Sequence, residues 1–175
     1  MDWQPNQAGV NWFFKEIIPL SELTEYNHSF HFAGKHMPET FLKKNDNKRF
    51  FINDRVDDAA KFIANKDALL VLLLTGGGVR VKIIEAMAQQ KIIISTSEGC
   101  KGLPLKWLEH IEIADTPLDF LQKMKAVLQN PEWFRKLAVQ ASELIPEYFG
   151  LRKIGTEFVS FYKDVIASRR EKFKD

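Results

Sequence analysis

The stretch that most limits what this chain can fold into is a run of seven apolar residues, Ala68, Leu69, Leu70, Val71, Leu72, Leu73 and Leu74. It is followed by Thr75, three glycines, and then Val79-Arg80-Val81-Lys82-Ile83-Ile84-Glu85-Ala86-Met87-Ala88. Lys91, Ile92, Ile93, Ile94, Ser95, Thr96 and Ser97 come directly after. The run is far too short to span a bilayer and lacks the polar alternation of a half-exposed strand, so it predicts a parallel strand covered on both faces. Strand, glycine turn, apolar helix and second buried strand make a βαβ unit with short joints.

The turn is where chemistry is expected. Gly76, Gly77 and Gly78 let the backbone take positive φ and approach a ligand closely, beside the unpaired N–H groups and positive dipole end of the next helix. That is the making of an anion site. Arg80 and Lys82 add two cations at its mouth, and Glu85 is the one acid on an otherwise apolar helix. A plainer reading stands beside this one: the turn is only a joint, and Lys82 with Glu85 is an i,i+3 ion pair on a wet face. The phosphate loop G-x-x-x-x-G-K-[ST] is absent, which argues against a P-loop triphosphatase. Gly76, Gly78 and Glu98 half mimic a dinucleotide fingerprint, but Val81 stands where its third glycine belongs.

Other features narrow the classes. A length of 175 residues predicts one domain over 1–175. Net charge is +2, from 25 basic and 23 acidic residues, so no strong field points to nucleic acid. Cys100 is the sole cysteine, and His28, His31, His36 and His110 lack ligand-like spacing. No metal site, disulfide framework, signal peptide or transmembrane helix is expected, and the address reads as cytoplasmic.

In chain order, Asn6 is expected to cap a first helix that Pro19 ends, with Val10, Phe13, Phe14, Ile17 and Ile18 facing the core. Short strands are expected at 29–33 and 49–53, followed by polar loops at Gly34-Lys35 and 53–56. A helix follows over 56–66, with Ala60 and Ile63 inward. A last strand falls at 110–114. Thr116-Pro117-Leu118-Asp119 is a strong helix start, and Asn130-Pro131 reads as a second. These two helices are expected to bury Leu118, Leu121, Met124 and Leu128, then Trp133, Leu137, Ala141 and Leu144, with Pro146 stopping the second. A final helix over about 152–172 carries Ile154, Phe158, Phe161, Tyr162 and Val165 on one face, read as a core stripe with a solvated basic end. Peripheral membrane contact is left open as a second use of that face. The alternation of strands and helices predicts an α/β fold, doubly wound and mainly parallel, with helices on both faces.

The segments T-G-G-G-V-R-V-K-I-I-E-A-M-A and K-I-I-I-S-T-S-E-G-C-K-G-L, with Ile111 to Pro117, resemble the donor-binding half of retaining nucleotide-sugar-dependent glycosyltransferases of the GT-B fold, the family-4-like group 1 transferases. The resemblance reaches from M-D-W-Q-P-N-Q-A-G-V-N-W-F-F to the last helix. It implies a nucleoside-diphosphate sugar as partner, no cofactor, and an activity in polysaccharide or glycolipid synthesis. It also implies that Gly76, Gly77, Gly78, Val79, Arg80 and Lys82 hold the diphosphate, that Glu85 takes the ribose, and that Arg55 and Val56 lie on the base side. Catalytic residues are not assigned. Alternatives are a nucleotide-sugar epimerase half, or a non-catalytic module that binds a nucleotide or a partner protein.

Two departures from the family's pattern matter. Many members carry a glutamate eight residues before the E of E-A-M-A, where this chain has Gly77. The family's donor domain also has a central first strand just before the residues matching Met1-Asp2-Trp3, and an N-terminal acceptor domain before that. An inactive half-enzyme is therefore expected of this chain alone, with a sheet that closes its gap in one of two ways. Either the 29–33 strand pairs directly with the Ala68 strand, or another chain supplies the missing strand.

Overall fold

The computed structural model describes residues 3–20, 26–76, 80–104 and 109–172. Helix α1 (Gln4–Trp12) continues through a π turn (Phe13–Ile17) and a 3-10 turn (Ile18–Leu20). Asn6 does not cap it: Trp3 precedes the first turn and Pro5 sits within it, where a missing N–H costs nothing. Pro19 does not end the helical path, because its fixed φ suits the tighter turn that carries the chain to Leu20. Val10, Phe13 and Ile17 are buried, as their spacing predicts.

The rest alternates strand and helix: β1 (Phe30–Ala33), α2 (Glu39–Leu42), β2 (Phe50–Asn53), α3 (Ala59–Ala64), β3 (Ala68–Val71), α4 (Val81–Ala88), β4 (Ile92–Ser95), α5 (Ser97–Cys100) and β5 (Glu112–Ile113). Four helices follow, α6 (Pro117–Gln129), α7 (Pro131–Glu143), α8 (Ile145–Phe149) and α9 (Leu151–Lys172). Every strand pairing among the described residues is parallel. The fold is α/β with helices on both faces. Ile92 and Ile94 join Phe13, Ile17, Phe30, Phe120 and Met124 in one core cluster, while Val71 and Ile93 join Ile83 and Met87 in another. Alternation along buried strands sends successive side chains to opposite helical layers.

Several boundaries differ from expectation, each for a visible reason. Helix α3 is shorter than 56–66 because Asp58 caps it, its carboxylate accepting the Lys61 N–H; Ile63 packs on the core but Ala60 is exposed. Thr116 caps α6 as predicted, accepting the Asp119 N–H, whereas Asn130 makes no side-chain cap before α7. Leu118 and Trp133, each next to a helix start, are exposed, and Phe120, Val127, Phe134 and Ala138 fill the core with Leu121, Met124 and Ala141. Pro146 stops nothing, since α7 ends at Glu143 and Pro146 lies in the first turn of α8. Helix α9 overturns the core-stripe expectation: Ile154, Phe158, Phe161, Tyr162 and Val165 are all exposed.

The sheet is not continuous. β1 pairs with β2, and β3–β4–β5 form a second sheet; β1 and β3 do not pair. The expected direct pairing of the 29–33 strand with the Ala68 strand does not occur. Consistent with an open edge, Ala68, Leu69 and Leu70 are only partly buried, while all four residues of β4 are fully buried.

Candidate functional site at the carboxyl edge of the strands

Because the strands of each sheet run parallel, their carboxyl ends share one edge of that sheet, the usual place for ligands in open α/β sheets. The loops after β1 and β2 emerge at that edge of one sheet, and those after β3 and β4 at that edge of the other. The Asp54 carboxylate, after β2, accepts the Met37 N–H of the loop after β1 and ties the two together. Arg55 is exposed and Val56 half-buried in that β2 loop.

The turn after β3 begins at Gly76, which takes a φ of 121° that only glycine adopts without strain. A methyl there would lie 2.9 Å from Nη2 of Arg80 and 3.0 Å from the ring of Trp3. Gly77, Gly78 and Val79 lie outside the described residues. Arg80 is the residue just before α4, and its guanidinium carbon sits 5.1 Å from the centre of the Trp3 ring. This cation–π contact fixes the charge at the start of the helix. No side chain caps α4, so the N–H groups of its first turn face the same place.

Lys82 is half-buried in the first turn of α4. Burial, and then repulsion from Arg80, push its pKa below the ordinary 10.5. Among the described residues no carboxylate lies within ion-pair reach of it, and Glu85, one turn on, is exposed and separate. The plain ion-pair reading of Lys82 and Glu85 is thereby overturned. Glu85 needs no ion partner there, since solvent satisfies an exposed carboxylate. Glu98, the acid of the dinucleotide mimic, is engaged by Lys101 at 2.5 Å.

Three contributors escaped the sequence reading. Trp3 carries no local signal of its role, because its place against Arg80 is a tertiary contact between residues far apart in the chain. Thr96, fully buried after β4, donates its hydroxyl hydrogen to the Leu73 carbonyl and accepts the Gly99 N–H at 3.1 Å, so it joins the start of the β3 turn to α5. Asp115 accepts from both the backbone N–H and the hydroxyl of Ser97, at 2.8 and 2.9 Å. A threonine or aspartate flanking a buried strand was the available signal.

Comparison with known proteins fits this architecture. Over 167 residues the chain is 21% identical to an uncharacterised 44.6 kDa protein of the cps region of Klebsiella pneumoniae, covering 91% of this chain and 42% of that one. Its fold superposes on the crystal structure of WaaG, a glycosyltransferase involved in lipopolysaccharide biosynthesis, with a TM-score of 0.67 at 13% identity, covering 81% of this chain and 40% of WaaG. The C-terminal CMP-Kdo binding domain of WaaA from Acinetobacter baumannii aligns over 81% of this chain and 96% of that domain, at 13% identity and a TM-score of 0.47. The chain thus spans about two fifths of the length of the curated relative it matches. The family described as glycosyl transferases group 1 matches residues 1–130, and to that family this chain belongs.

Proposed function

We propose that this chain is the donor-binding half of a glycosyltransferase, taking a nucleoside-diphosphate sugar at the carboxyl edge of β3. The observation that carries the reading is Lys82: a half-buried ammonium, crowded by Arg80, with no carboxylate among the described residues to offset it, at an uncapped helix start. Repulsion between Arg80 and Lys82 favours an anion beside them, and a diphosphate supplies charge and oxygen acceptors together. Arg80 and Lys82 then neutralise the diphosphate, the turn 76–79 offers backbone N–H groups, and exposed Glu85 accepts from ribose hydroxyls.

The 42% of its curated relative that the chain covers leaves room there for an acceptor-binding domain, and we assign that half to polypeptide outside these residues. The sugar product is a polysaccharide or glycolipid made on the cytoplasmic side of a membrane. Among the described residues no helix is long and apolar enough to cross one. The 175 residues alone should transfer no sugar, since positioning two substrates is a large part of such catalysis.

Calorimetric titration of UDP, GDP, CDP and ADP into the chain tests the reading. Lys82→Gln and Glu85→Ala should each weaken the preferred nucleotide about ten- to hundredfold, the worth of a charge-assisted hydrogen bond, with unchanged melting. Equal affinities in all three proteins would place the site elsewhere.

A further inference from the structure

Trp3 stands at the glycine turn with no task in donor binding assigned to it so far. Its side chain is 44% exposed. A methyl at Gly76 would lie 3.0 Å from Cη2 of the indole and 2.9 Å from Nη2 of Arg80, so ring and guanidinium converge on one glycine. We propose that Trp3 is a positioning residue for nucleoside-diphosphate binding, its indole holding the Arg80 guanidinium at the turn before the diphosphate arrives. This role rests on the donor-binding reading of the same turn and deepens it.

The ring can hold Arg80 because its own backbone is held. The Trp3 carbonyl accepts the N–H groups of Asn6 and Gln7 at 3.0 and 3.3 Å, which fastens the residue to the first turn of α1. Helix α1 is pressed against the chain that leaves β3: a methyl on Gly9 would run into the Leu72 carbonyl, and Val10 is buried. Two contacts, Gly9 with Leu72 and Trp3 with Gly76, thus lay α1 along the segment that becomes the glycine turn.

Arg80 needs such a hold. It is half-buried just before α4, and its charge and that of Lys82 repel each other. Repulsion alone would swing a long, flexible side chain away from the turn. The Trp3 ring, 5.1 Å from the guanidinium carbon, supplies the opposing attraction. A guanidinium can rest on an aromatic face and still donate N–H groups to oxygens, since the first uses its plane and the second its edge; a lysine ammonium has no such division. Ordering a long side chain during binding costs affinity, and ordering it beforehand saves that cost, about two- to tenfold in dissociation constant.

The test is calorimetric titration of UDP, GDP, CDP, ADP and inorganic pyrophosphate into wild type, Trp3→Phe, Trp3→Leu, Arg80→Gln and the Trp3→Leu, Arg80→Gln double variant, with thermal melts as the check on folding. Trp3→Leu should weaken the preferred nucleotide about two- to tenfold, and pyrophosphate by the same factor, because Arg80 meets the diphosphate and not the base. Trp3→Phe keeps an aromatic face and should retain most of the affinity. In the Arg80→Gln background Trp3→Leu should cost nothing further. Without any nucleotide, the proton resonance of the Arg80 Nε–H should move in Trp3→Leu, as the ring current of the indole is lost. Unchanged affinity in Trp3→Leu, a loss in Trp3→Phe as large as in Trp3→Leu, or additive losses in the double variant would each overturn this role while leaving the donor reading intact. So would a loss for nucleotide with none for pyrophosphate, since the indole would then touch base or ribose itself. A wild type that binds none of the five ligands would overturn the donor reading, and this role with it.

Discussion

Thr96 offers the sharpest test of how the candidate site is held. It is 2% exposed, and its hydroxyl links the Leu73 carbonyl to the Gly99 N–H. Thr96→Val keeps the shape and removes only the hydroxyl, so no cavity opens and the loss is polar. Leu73 is 1% exposed and Gly99 is buried, so water does not replace either partner. Each orphaned group costs about 1–3 kcal/mol. Better burial of the extra methyl returns part of this, roughly 1 kcal/mol. The expected net cost is about 1–5 kcal/mol, and at about 2–4 °C per kcal/mol for a chain of this length the melting temperature should fall by roughly 2–20 °C.

Urea unfolding and calorimetry of wild type, Thr96→Val and Thr96→Ser measure this directly. The serine variant keeps the hydroxyl and loses a methyl, at a cost of about 1 kcal/mol. Amide exchange at Gly76, three residues beyond Leu73, should quicken in the valine variant alone. A valine variant within about 0.5 kcal/mol of wild type would refute the claim that this hydroxyl fastens the turn.

Three further outcomes are expected. Gly9→Ala should destabilise by about 1–3 kcal/mol by urea unfolding, despite alanine's better helix propensity, because a methyl there would run into the Leu72 carbonyl backbone. His28 and His31 both have pKa values lowered from 6.5, chiefly by burial, so below that pH the unfolded chain binds more protons than the folded one; stability is full above 6.5 and should fall as pH drops below it, and His31→Gln should flatten a urea-midpoint profile. Lys82 binds an anion only when protonated and its pKa is lowered, so nucleotide affinity should fall with rising pH below the usual lysine range, and Lys82→Arg should remove that fall in calorimetric titrations.

The parts of the fold that the sequence made legible are those where local pattern and tertiary environment agree. The β3–turn–α4–β4 unit follows from unbroken apolar runs, and the Thr116 start of α6 from a cap whose partner lies three residues away. Leu118 and Trp133 show where the pattern misleads: each sits at the first turn of its helix, where the chain enters from solvent, so an apolar residue in phase with the stripe still finds nothing to cover it. Lys82 and Glu85 show a second limit. Their spacing allows an ion pair, but partial burial of one and exposure of the other set their environments apart, and no spacing rule carries that information. Trp3 against Arg80 is harder still, since the contact joins residues 77 positions apart.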